Sequence, residues 1–138
     1  MTPSALRRLS AFVLLGATLA ACGGDSSSPT APTNSSTDTF SSTLDPGGIV
    51  THPFTIAGPG SLSISVDTVS TTGLVFGLGL GDWNGTTSVC TLQLSSATAK
   101  QGDVFNATAS QAGNYCVQVA DIGNVQSSAT YTLRVTHP

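Results

Sequence analysis

The feature that most constrains this chain is a strict alternation of apolar and small polar residues. Residues 61–66 read Ser-Leu-Ser-Ile-Ser-Val, and a period of two recurs over residues 74–80, 115–119 and 131–135. Successive side chains of a β-strand point to opposite faces of a sheet, so this pattern predicts strands with one buried and one solvent-facing side. Glycine and proline clusters separate these runs, which is typical of an all-β sandwich or barrel.

Composition supports an all-β fold and restricts its size. The 138 residues include 19 Ser and 20 Thr, which suit strands and loops better than helix interiors. The 15 Gly and 7 Pro argue against long helices. Pro53 has no backbone N–H, so its strand is predicted to lie at a sheet edge or to carry a bulge. A chain of this length has room for one small domain, which we place at residues 39–138.

The first 21 residues are typical of a secretory signal peptide. Arg7 and Arg8 form its positive region, and the apolar run over residues 9–21 is too short to span a bilayer as a permanent helix. Residues 19–22 read Leu-Ala-Ala-Cys, which resembles the lipobox of bacterial lipoproteins. The resemblance implies cleavage before Cys22, a lipid on Cys22, and anchorage in a bacterial membrane facing the periplasm or the exterior. In the alternative, ordinary signal cleavage leaves Cys22 as a free thiol.

A disordered tether is predicted over residues 22–38, which are rich in Ser, Thr, Pro and Gly and lack periodic apolar residues. After cleavage the chain would carry two basic residues, Lys100 and Arg134, against seven Asp, a net charge of −5. Such an acidic surface argues against nucleic acid as a partner and leaves the lipid on Cys22 as the contact with the membrane. The predicted location is the cell envelope.

Cys90 and Cys116 remain once Cys22 is assigned to the lipid. In an exported protein, a lone pair of cysteines predicts a disulfide. The alternation complicates this prediction, because Cys90 shares a face with Leu92, whereas Cys116 lies opposite the apolar face of its own strand. Either a bulge near Cys90 resets the phase, or the disulfide lies at a sheet margin.

Four segments of the domain carry a family resemblance. They are residues 52–56 (HPFTI), 58–62 (GPGSL), 112–119 (AGNYCVQV) and 131–135 (YTLRV). Together they resemble the bacterial pre-peptidase C-terminal domain over about residues 39–138. The resemblance implies a jelly-roll-like antiparallel β-sandwich of about eight strands, of the kind appended to secreted peptidases and other exported enzymes. No peptidase domain precedes the sandwich in this sequence, so any hydrolase that it assists is expected to be separately encoded.

Candidate catalytic groups are scarce. The chain has two histidines, His52 and His137, no Glu, and no nucleophile-elbow pattern around any Ser. We predict that both histidines lie on the surface and that the protein is not an enzyme. Zinc is disfavoured because the disulfide uses both remaining cysteines.

Calcium is the one metal ion with candidate ligands. Asp82 with Asn84, and Asp121 with Asn124, offer side-chain oxygens in predicted turns. Asp and Asn also cap turns by accepting hydrogen bonds from nearby backbone, and neither pair has the spacing of a known calcium loop. We therefore favour turn capping and expect no metal and no cofactor.

The predicted turn over residues 82–85 holds the remaining candidate ligand contacts, Asp82, Trp83 and Asn84. Trp83 offers a flat ring for a sugar, with Asp82 and Asn84 placed to bind its hydroxyls. In the alternative, which we favour, Trp83 folds over the end of the sandwich and plugs the core.

The sequence therefore predicts a lipid-anchored cell-envelope protein that acts by non-catalytic binding or structural association. Its expected partner is an envelope protein or a polysaccharide. Two further interpretations stay open, a saccharide-binding module that uses Trp83 and an accessory subunit for an exported hydrolase.

Overall fold

The computed structural model describes residues 34–138, which form two antiparallel four-stranded sheets. The predicted signal peptide, Cys22 and most of the predicted tether lie outside the described residues. Within residues 34–138, no helix has the length and apolarity needed to span a bilayer. The strands are β1 (Ser36–Leu44), β2 (Ile49–Ile56), β3 (Gly60–Val69), β4 (Phe76–Asn84), β5 (Val89–Ala99), β6 (Val104–Ala109), β7 (Gly113–Ala120) and β8 (Ala129–His137).

The strand order is that of a jelly roll. Sheet A has the order β1-β8-β3-β6, and sheet B has the order β2-β7-β4-β5. The first strand therefore pairs with the last, the second with the seventh, the third with the sixth and the fourth with the fifth. This is one long hairpin wrapped into two layers, and it confirms the predicted jelly-roll-like sandwich. Pro53 lies in β2, at an edge of sheet B, as its missing N–H requires.

The core lies between the sheets and follows the alternation in the sequence. In β3, Leu62, Ile64 and Val66 face inward while the serines between them face solvent. In β8 the inward positions run from Ala129 through Tyr131 to His137. In the described residues, every buried polar atom of a side chain has a hydrogen-bond partner, as is usual in protein interiors. The first strand begins at Ser36, three residues before the predicted domain boundary.

The predicted disulfide joins Cys90 in β5 to Cys116 in β7, with Cα atoms 5.9 Å apart. Leu80 of β4 faces Leu94, but the next residue, Gly81, faces Leu92, so Gln93 is an extra residue in β5. This bulge resets the phase of β5 and is the first of the two alternatives expected from sequence. It brings Cys90 to the outer face of sheet B, where Cys116 also lies.

The glycine face of β4 permits its neighbour β5 to approach the outer face of β4 closely. A Cβ atom on Gly81 would lie 2.0 Å from the backbone carbonyl oxygen of Thr91, and one on Gly79 would lie 2.8 Å from a methyl group of Leu92. Both glycines are buried beneath these neighbours. The absence of side chains on this face therefore allows close packing of β4 and β5 at Gly79 and Gly81. Beside this packing, Gly77 and Gly79 line a recess of about 220 Å³ that also includes Leu92 and Ile122.

Candidate functional site

The structure separates the three predicted ligand contacts. Strand β4 continues through Asn84, and the connection to β5 is a four-residue loop over residues 85–88 instead of a tight Asn-Gly turn. Because β4 is still extended, Asp82 and Trp83 point to opposite faces of sheet B. The side chain of Asn84 accepts hydrogen bonds from the backbone N–H groups of Thr86 and Thr87, at 3.0 and 3.1 Å. Asn84 therefore caps the loop.

Trp83 lies on the outer face of sheet B, opposite Cys90 in the register of β4 and β5. Its side chain is half-buried and is not among the apolar side chains that form the core between the two sheets. The favoured prediction that Trp83 plugs the core is therefore wrong. The reason is that β4 continues through Asn84, three residues into the predicted turn, so the alternation carries Trp83 outward.

Asp82 points into a cleft at the side of the sandwich where β5 and β6, the last strands of the two sheets, face each other. The cleft has a volume of about 330 Å³. The Nε2 atom of Gln93 donates a hydrogen bond of 2.9 Å to Oδ2 of Asp82. The hydroxyl of Tyr115 donates one of 3.1 Å to the backbone oxygen of Gln111. The lining residues are Leu80, Gly81, Asp82, Gln93, Leu94, Thr108, Ser110, Gln111 and Tyr115.

A second, apolar recess adjoins this polar cleft and has a volume of about 90 Å³. The two share Leu80 and Leu94 in their linings. Leu94 is 55% exposed although it points toward the space between the sheets. The floor of the recess includes Ile64 and Leu78, and its rim includes the half-buried Phe105. The cleft and the recess together form an amphipathic site whose parts come from β3 to β7.

The histidines lie on the opposite side of the sandwich, formed by β1, β2 and β8. His52 stacks on Phe40, with ring centroids 4.9 Å apart, and its Nε2 atom is 2.8 Å from the hydroxyl of Tyr131. His137 is 4% exposed, and its Nε2 atom is 3.1 Å from Oδ2 of Asp38. The prediction of two surface histidines is therefore wrong. In β8, His137 is in phase with the inward-facing Tyr131, so the alternation already placed it inside.

Burial controls the ionisation of the His52 and Tyr131 pair. It lowers the pKa of His52 from its ordinary value of 6.5 and raises the pKa of Tyr131 to about 12. At neutral pH, Tyr131 therefore keeps its proton, His52 is neutral, and one hydrogen bond joins the Tyr131 hydroxyl to Nε2 of His52. This pair is a structural contact between β2 and β8.

The lowered pKa of His52 makes the fold sensitive to mild acid. Below pH 6.5 the unfolded chain binds the His52 proton more readily than the folded chain, so stability is lost as the pH falls and is regained as it rises. We expect the urea midpoint of the wild type to fall between about pH 7.5 and 5 by more than that of His52→Gln, which does not titrate there. Equal falls in the two proteins would contradict this assignment.

Of the second pair of candidate calcium ligands, Asp121 caps a loop, and the side-chain amide of Asn124 donates a hydrogen bond of 3.1 Å to the backbone oxygen of Val75. Asp121 accepts a hydrogen bond of 2.8 Å from the backbone N–H of Gly47 and three more from the N–H groups of residues 123–125. These contacts, with that from Gly47 foremost, lower the pKa of Asp121. Across residues 34–138, no three His, Cys, Asp or Glu side chains are grouped so that they could hold a metal ion.

Comparison with known proteins adds no functional assignment. No protein-family model matches the chain, and a search of curated proteins finds no match. The resemblance to the pre-peptidase C-terminal domain therefore stays a prediction, and the functional argument depends on the cleft and on the N-terminal sequence.

Proposed function

We propose that this chain is an exported lipoprotein, held to a bacterial membrane by lipid on Cys22, whose β-sandwich binds a neutral saccharide in the cleft between β5 and β6. The observation that carries the proposal is the lining of that cleft. A volume of about 330 Å³ is within the range of small-molecule binding sites. Carboxylate, amide and hydroxyl groups surround it, and these groups match the donors and acceptors of a sugar.

The distribution of titratable groups favours binding over catalysis. Among the residues that line the cleft, Asp82 is the one carboxylate, whereas glycoside hydrolysis commonly uses a pair. A general acid or base near neutral pH would most readily be a histidine. Both histidines lie on the far side of the sandwich, where His52 is engaged with Tyr131 and His137 with Asp38. Non-catalytic binding requires neither group.

The anchor rests on the sequence around Cys22. The Leu-Ala-Ala-Cys run follows a short apolar segment, and the chain between Cys22 and Ser36 is rich in small polar residues. A single acyl chain binds a membrane only marginally, so stable attachment takes two or more chains. In this proposal the segment before β1 is a spacer between the lipid and the sandwich.

Lipidation is tested by growing the producing bacterium with a labelled fatty acid. We expect the wild-type protein to carry the label and to remain in the membrane fraction. The Cys22→Ser variant should be unlabelled, because it lacks the acceptor thiol. A matched control is Thr30→Ser in the same segment, which should be labelled like the wild type. Equal labelling of wild type and Cys22→Ser would overturn the anchor.

A further inference from the structure

We infer that the saccharide bound in the cleft carries a short apolar substituent, an inference that rests on the proposed function. It follows from the junction of two unlike recesses. The polar cleft of about 330 Å³ and the apolar recess of about 90 Å³ share Leu80 and Leu94. A ligand that lies across this junction contacts both.

The polar part of the site selects a neutral, hydroxylated group. The Asp82 carboxylate accepts a hydrogen bond from the amide nitrogen of Gln93, and the Gln93 amide oxygen is a further acceptor in the lining. Hydroxyl groups both donate and accept, so they suit this mixture of partners. An anionic ligand would meet Asp82 with no cationic side chain among the lining residues.

The apolar part of the site leaves hydrophobic surface uncovered. Leu94 is 55% exposed, and Leu80 and Phe105 are only half-buried, although all three line the space at the edge of the two sheets. Covering such surface with an apolar group of a ligand is favourable. The recess, at about 90 Å³, has less than a third of the volume of the polar cleft. We therefore expect it to take a short chain of a few carbons.

The test compares methyl and butyl glycosides as probes. The protein is the mature chain, residues 22–138, with Cys22→Ser so that it stays in solution without detergent. Calorimetric titrations use the methyl and butyl glycosides of glucose, galactose, mannose and N-acetylglucosamine. For at least one sugar we expect the butyl glycoside to bind about tenfold tighter or more, since three further methylene groups enter the recess.

Variants assign this preference to the recess. Ala107→Leu fills the recess and should reduce the butyl advantage to less than about twofold, while the affinity for the methyl glycoside stays the same. Ala57→Leu adds the same volume at an exposed position away from the site and should change neither affinity. If Ala107→Leu fails to fold, Leu94→Ser removes the shared apolar wall at an exposed position and should also reduce the advantage.

Three results would overturn the inference. Methyl and butyl glycosides that bind equally would remove the apolar substituent but leave saccharide binding intact. Butan-1-ol that binds as tightly as the butyl glycosides would show that the polar cleft contributes nothing. Failure of all the glycosides to bind would also overturn the inference. A broad glycan screen would then test the proposed function separately.

Discussion

Replacing Cys116 by Ser is expected to lower the free energy of unfolding by about 2–5 kcal/mol, a large part of the stability of a small domain. Cys116 and Cys90 are 26 residues apart, and closing a loop of that length contributes about 3.5 kcal/mol in the chain-entropy model. The bond also ties the start of β5 to β7 across the outer face of β4. Urea unfolding followed by Trp83 fluorescence measures the change.

The reduced wild type is the matched control for Cys116→Ser. Reductant should lower its unfolding midpoint by a similar amount and should have no effect on a Cys90→Ala/Cys116→Ala double variant. Alkylation of the oxidised, unfolded domain should label neither Cys90 nor Cys116. Two free thiols in protein purified without reductant would show that the bond is absent.

The second large effect is expected at Gly81, where an added methyl group has no space. In Gly81→Ala the new Cβ would lie 2.0 Å from the carbonyl oxygen of Thr91 and 2.7 Å from the Cα atom of Leu92. These are backbone atoms, so β5 as a whole must move and the Gln93 bulge must be rebuilt. We expect a loss of about 3 kcal/mol in the free energy of unfolding, toward the upper end for overpacking.

Gly58→Ala is the matched control for Gly81→Ala. A Cβ atom on Gly58 has no neighbour within 4 Å, and its backbone does not have a positive φ. Its free energy of unfolding should change by less than about 1 kcal/mol, with a small gain from reduced chain entropy. If the two variants unfold at the same urea concentration, the close passage of β5 over Gly81 is contradicted.

Much of this fold was predictable from sequence because the alternation is strong. Residues 61–66 lie in β3, and residues 131–135 lie in β8, with the expected faces inward. The interior position of His137 was also predictable, since the period of two in β8 extends to it. The prediction that His137 lies on the surface was wrong because it used the general tendency of histidine and did not apply that period.

The remaining features depend on contacts between strands that are distant in sequence. The amino-acid sequence of β5 does not mark Gln93 as the bulged residue, because a bulge is defined by the register between β5 and β4. The Asn-Gly pair after Trp83 indicated a tight turn, but the loop capped by Asn84 begins later. The cleft was missed for the same reason, since its lining is assembled from four strands and the β6–β7 turn.

Saccharide binding in the cleft is tested most directly on a glycan array with three proteins, the mature chain with Cys22→Ser and the same chain carrying either Asp82→Ala or Trp83→Ala. We expect the parent to bind at least one neutral glycan. Asp82→Ala should weaken that binding by at least about tenfold, because a hydrogen bond to a charged group is lost. Trp83→Ala should bind as the parent does, because its ring lies on the other face of the sheet. No binding to any glycan, or binding lost in Trp83→Ala and kept in Asp82→Ala, would contradict the account.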